Sequence, residues 1–150
     1  MKKVLMAAAI GLALMPSVVR AAEATPAAAA KEMVAAWDAL DLDRIMRAFS
    51  DEPVLQSMMS EPLKGQEVIR SHLAALLKNA TKLELKIKNQ AVVGNTVFLE
   101  RVDDFVVSGR HGTTPVVGVM EIEKGKVKVW REYYDQATLL REMGVTPEKK

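Results

Sequence analysis

The feature that most constrains this chain is a change of hydrophobic period near residue 82. Before that point apolar residues recur every three or four positions. Met33, Ala36, Trp37 and Leu40 share one face of a helix over residues 28–40, and Ile45, Met46 and Phe49 form the inner side of a short second helix that starts at Leu42-Asp43. Val68, Ile69, Leu73, Leu76 and Leu77 mark a third over residues 66–79. From Lys82 onward Leu83, Leu85 and Ile87 alternate with Glu84, Lys86 and Lys88, the pattern of a strand with one wet face. Helices first and antiparallel strands afterwards predict an α+β domain, with the helices on one face of a curved sheet and a pocket between the layers.

Local punctuation fills in the order. Asp51-Glu52-Pro53 stops the second helix, residues 54–58 read as a short strand, and Glu61-Pro62-Leu63-Lys64-Gly65 is turn chemistry leading into the third helix. Gly94-Asn95, the polar loop 108–114 and Glu123-Lys124-Gly125 separate strands over 97–107, 116–122 and 126–134. A closing helix over 136–143 ends at Gly144. No internal repeat, phosphate-binding loop, dinucleotide fingerprint or long heptad run is present.

The N-terminus has the layout of an export signal. Met1-Lys2-Lys3 is basic, residues 4–15 are apolar, and Val19 and Ala21 occupy the positions that a signal peptidase reads. Pro16 and Arg20 interrupt the apolar run, which therefore falls short of the ~20 residues needed to span a bilayer. The expected division is a signal peptide at 1–21, a small-residue tether at 22–30 and a folded domain at 31–150, periplasmic or secreted, with no membrane attachment after cleavage. Without Cys no disulfide can form, so the core alone must stabilise the domain. The 21 Lys+Arg against 19 Asp+Glu include Lys2, Lys3 and Arg20, which leave with the signal. No basic face interleaved with aromatics remains, which argues against a nucleic-acid partner.

Chemistry concentrates in the strand over 97–107. Alternation puts Leu99, Arg101, Asp103 and Phe105 on one side and Phe98, Glu100, Val102 and Asp104 on the other. Glu132, on the same side as Trp130 and Tyr134, is the candidate third member. An Arg between two carboxylates holds both while their protonation states diverge, one acting as base and the other as proton donor. The same trio also reads as an ion-pair network that orders strands and does no chemistry. His72 and His111 stand alone without ligand spacing, so no metal is expected, nor is any cofactor. Tyr133 and Tyr134 carry the hydroxyls that an oxyanion site requires, although alternation puts only Tyr134 inside the fold. Met58, Met59, Met120 and Met143 suit either a pliable pocket lining or ordinary core.

Glu100-Arg101-Val102-Asp103, Gly118-Val119-Met120-Glu121-Ile122, Gly125-Lys126 and Trp130-Arg131-Glu132-Tyr133-Tyr134-Asp135 resemble the limonene-1,2-epoxide hydrolase family in order and spacing. That resemblance implies the cone-shaped, cystatin-like fold shared with nuclear transport factor 2, ketosteroid isomerases and SnoaL-like polyketide cyclases. The expected architecture is a curved antiparallel or mixed sheet against about three N-terminal helices, assembled as a homodimer. It implies one-step addition of water to a small hydrophobic epoxide, with Arg101 orienting two acids, Asp103 protonating the opening oxygen and Glu132 as base. Glu132 stands where the family has Asp, and Leu55 and Ser57 stand where the family holds its water with Tyr and Asn. The alternatives are a noncatalytic exported protein that binds a small hydrophobic ligand, and a SnoaL-like or ketosteroid-isomerase-like lyase or isomerase.

Overall fold

Thr25 and Pro26 begin the first helix of the computed structural model, which describes residues 23–145. The Thr25 hydroxyl accepts from the Ala28 amide at 3.2 Å, and Pro26 occupies the first helical turn, where its missing N–H costs nothing. The elements that follow are α1 (Pro26–Asp38), α2 (Leu42–Ala48), β1 (Phe49–Ser57), β2 (Leu63–Lys64), α3 (Gln66–Leu77), β3 (Ala80–Val93), β4 (Thr96–Val107), β5 (Arg110–Glu123), β6 (Lys126–Tyr133) and α4 (Gln136–Glu142). The expected signal peptide at 1–21 lies outside the described residues, as do residues 146–150.

The expected tether at 22–30 is corrected by this helix. Ala29 and Ala30 are buried, Ala30 completely, and belong to the same core as Met33, Ala36 and Trp37. Alanine looks like linker in composition, but on a helix its short side chain lets the backbone lie close against the sheet. The folded unit therefore starts at the cap, Thr25, and not at Lys31.

The six strands form one mixed sheet in the order β2-β1-β6-β5-β4-β3. β3 to β6 make an antiparallel meander, and β1 pairs parallel with β6, so the first long strand lies beside the last. This is the expected α+β architecture, with α1, α2 and α3 ahead of the meander. Two boundaries differ from expectation. Asp51-Glu52-Pro53 lies within β1, and Pro53, which cannot donate to a ladder, falls where the pairing with β6 skips between Phe49 and Val54. Leu63 and Lys64, expected as turn, pair with Leu55 and Val54. A third difference lies in β3. Leu85 is buried but Ile87 is exposed, because β3 is an edge strand whose register shifts between Ile87 and Asn89.

Trp130, Phe49, Met33, Ile45, Leu99 and Met120 fill the core under the helices. The Trp37 ring meets Trp130 edge-on at 5.5 Å and 81°. Asp38, at the end of α1, accepts from the Leu85 amide at 2.8 Å and ties the helix to β3.

A larger side chain at Ala30 must overfill this contact. Ala30→Leu is expected to lower unfolding free energy by about 1–3 kcal/mol in urea titration. An unchanged midpoint would return the alanine run to the role of tether.

Candidate active site

The strands that carry the charged trio are not neighbours. Arg101 and Asp103 lie on β4 and Glu132 on β6, with β5 between them. The residue of β5 that faces Glu132 is Gly118. A Cβ at Gly118 would lie 2.3 Å from Arg101 Nη1 and 3.2 Å from Trp130 Nε1, so the missing side chain is the gap in which the guanidinium lies. Arg101 Nε donates to Asp103 Oδ1 at 2.6 Å, and Nη2 donates to Asp103 Oδ2 at 3.1 Å and to Glu132 Oε2 at 2.7 Å. The Trp130 ring adds a cation–π contact, with Arg101 Cζ 5.8 Å from its centroid.

Burial makes these contacts consequential. The Arg101 side chain is 3% exposed, against 18% for Asp103 and 14% for Glu132. Loss of water pushes the Glu132 carboxyl up to about 7 against the opposing pull of Arg101. Burial also raises Asp103, with the Arg101 hydrogen bonds again opposing. One guanidinium cannot fully compensate two buried carboxylates, so the pair titrates as a unit and retains one proton up to near-neutral pH. The geometry is unequal. Asp103 receives both arms of the guanidinium fork, whereas Glu132 takes a single bond.

The trio faces a cavity of about 620 Å³. Leu55, Leu73, Leu83, Phe105, Val116 and Leu139 give it an apolar wall of the kind that excludes bulk water from a small ligand. Ser57 and Tyr134 also line it, and their hydroxyl oxygens are 2.8 Å apart.

Alternation along β4 and β6 thus brings Arg101, Asp103 and Glu132 together as expected. Tyr134 points in, while Tyr133 is 42% exposed. The methionines divide: Met59 and Met143 line the cavity, Met120 is core and Met58 is largely exposed. His72 lines the cavity, whereas His111 lies on the other face of the sheet, its Nε2 3.0 Å from Asp104 Oδ1. Lys86 and Lys82 also hold that Asp104 carboxylate, which keeps it well below the usual range. The gap at Gly118 and the Ser57–Tyr134 contact were not legible from spacing. The first needs a side chain to cross a strand, and the second joins residues 77 apart through the parallel pairing of β1 with β6.

Residues 24–144 match the limonene-1,2-epoxide hydrolase catalytic domain. The epoxide hydrolase EphG of Mycobacterium tuberculosis is 26% identical over 95 residues, which cover 63% of each chain, so the match spans just under two thirds of that relative. A solved M. tuberculosis epoxide hydrolase of the same type superposes with a TM-score of 0.68 at 23% identity, covering 76% of this chain and 85% of the other. A proposed SnoaL-like polyketide cyclase from Shewanella denitrificans superposes with a TM-score of 0.73 at 11% identity, covering 79% and 96%. At such identities the superpositions establish the fold, the cone-shaped architecture of the nuclear transport factor 2 type.

The raised Glu132 carboxyl has a thermodynamic consequence. Between its ordinary value of 4.5 and about 7 the folded chain keeps a proton there that the unfolded chain has released. Its contribution to stability is full below 4.5 and is lost as pH rises through 7, a change of about 3 kcal/mol. Denaturant titrations between pH 5 and 8 are expected to show this loss in the wild type and a flatter profile in Glu132→Gln. Equal slopes in the two proteins would contradict it.

Proposed function

Since the chain belongs to the limonene-1,2-epoxide hydrolase family, we propose that it adds water to a small hydrophobic epoxide in one step. The observation that carries this reading is the single guanidinium of Arg101, which joins two buried carboxylates in the wall of an apolar cavity. Such a pair, sharing one proton, offers a base and an acid at once.

At rest the shared proton lies on Glu132, whose carboxyl is raised to about 7, and the reactive state is the other arrangement of the same pair, in which the proton has passed to Asp103 and Glu132 is ionised. A water oxygen attacks one epoxide carbon as Glu132 takes one of its protons. The carbon–oxygen bond of the ring breaks, and the leaving oxygen takes the proton from Asp103. A vicinal diol forms, Glu132 ends protonated and Asp103 ionised, and the proton returns to Asp103 by way of water. Arg101 stays protonated throughout and keeps both carboxylates aligned. A carboxyl raised to about 7 suits a base working near neutrality, because a stronger base gains nothing if its proton cannot leave again.

Leu55 supports a second reading. Its methyl groups occupy a position on the cavity wall where the family holds water with a hydroxyl, which suits a noncatalytic pocket for a small hydrophobic ligand.

Asp103→Asn separates the two. The amide retains an oxygen that accepts from Arg101 but cannot protonate an epoxide oxygen. On a panel of hydrophobic epoxides kcat is expected to fall by about a hundredfold or more, with the chain still folded by circular dichroism. Equal diol formation by wild type and variant would overturn the catalytic reading.

A further inference from the structure

A water that attacks carbon must give one proton to a base and keep a lone pair aimed at the electrophile. Its second O–H also needs an acceptor, or the molecule turns in place. Glu132 serves the first O–H only. The neighbouring wall supplies a hydroxyl pair that the Arg101 network does not use. β1 and β6 run parallel with Ser57 opposite Glu132, and the Met58 amide donates to the Glu132 carbonyl at 3.1 Å, which locks the end of β1 against that residue. Ser57 Oγ and Tyr134 Oη are 2.8 Å apart, and both residues line the cavity. Tyr134 follows Glu132 by two residues and shares its face. Thr114, another cavity hydroxyl, lies opposite Asp103 on the acid side and so is placed for the leaving oxygen, not for the water.

Ser57 stands where the family holds its water, and we propose that Tyr134 is the positioning residue of this chain, holding the short Ser57 hydroxyl so that Oγ accepts the second O–H of the attacking water. Ser57 donates its own proton to Tyr134 Oη, which leaves the lone pairs of Oγ free for the water. The hydroxyl that Leu55 lacks is thus supplied from the chain just beyond β6, and the short serine side chain is braced by a ring instead of being replaced by a longer amide. This inference rests on the epoxide-hydrolase reading of the site.

The test compares kcat and KM of wild type, Tyr134→Phe, Ser57→Ala and the double variant on an epoxide panel. Tyr134→Phe keeps the ring and removes one oxygen. Each single substitution is expected to lower kcat about tenfold or more with KM within about twofold, as misplacement of a reacting atom does. The double variant is expected to be no slower than Ser57→Ala, because Tyr134 acts through Ser57. Tyr134→Phe with kcat within about twofold of wild type, or losses that multiply in the double variant, would overturn the inference while leaving the hydrolase reading intact. A wild type that opens no epoxide in the panel would overturn that reading and this inference with it.

Discussion

Arg101 imposes the strictest demand in the molecule. A guanidinium with almost no exposed surface is tolerated only where anions replace the water it has lost, and removal of one partner of such a pair typically costs about 3–5 kcal/mol. Asp103, two residues along the same strand, meets half of that demand by local alternation. Glu132 meets the other half from a strand with which β4 does not pair. The bond between them requires β5 to have no side chain where the guanidinium passes, hence Gly118, and requires Trp130 to form part of its bed. The meander from β4 to β6 is therefore fixed in register by an ion pair as well as by its backbone ladder.

The burial that makes Arg101 so demanding also sets the protonation of the site. The same apolar surroundings raise both carboxyls, so the trio keeps one proton at a pH where free carboxylates would keep none. The helical layer contributes by closing off the concave side of the sheet. α3 supplies Leu73 and His72 to the cavity, and α1 supplies Trp37 and, through its alanines, a close approach that completes the core beside it. A charged site and an apolar chamber thus arise from one packing arrangement.

The parts of this arrangement that were legible in the sequence are those governed by short-range rules. The switch of period near residue 82 marks the change from helices to meander, and alternation alone puts Arg101 beside Asp103 and Glu132 beside Trp130 and Tyr134. Composition misled at the alanines of α1, because linker and close-packed helix use the same small residue. Local breaker rules misled at Pro53, which is accommodated at an irregularity of β1 and does not end an element. Ile87 continued the apolar alternation of β3, yet no pattern within the strand reveals that it lies on a sheet edge, next to a shift of register. The Gly118 gap and the Ser57–Tyr134 contact were invisible for a different reason. Both depend on which strands become neighbours, and the parallel pairing of the first long strand with the last is a property of the whole fold.

If the carboxylates flanking Arg101 act on water directly, as proposed, the new diol oxygen comes from solvent. With protein in excess over a hydrophobic epoxide in ¹⁸O-labelled water, a single turnover is predicted to yield a diol carrying one labelled oxygen. Unlabelled diol from that first turnover would mean that a carboxylate oxygen had attacked the ring, and would contradict direct attack by water.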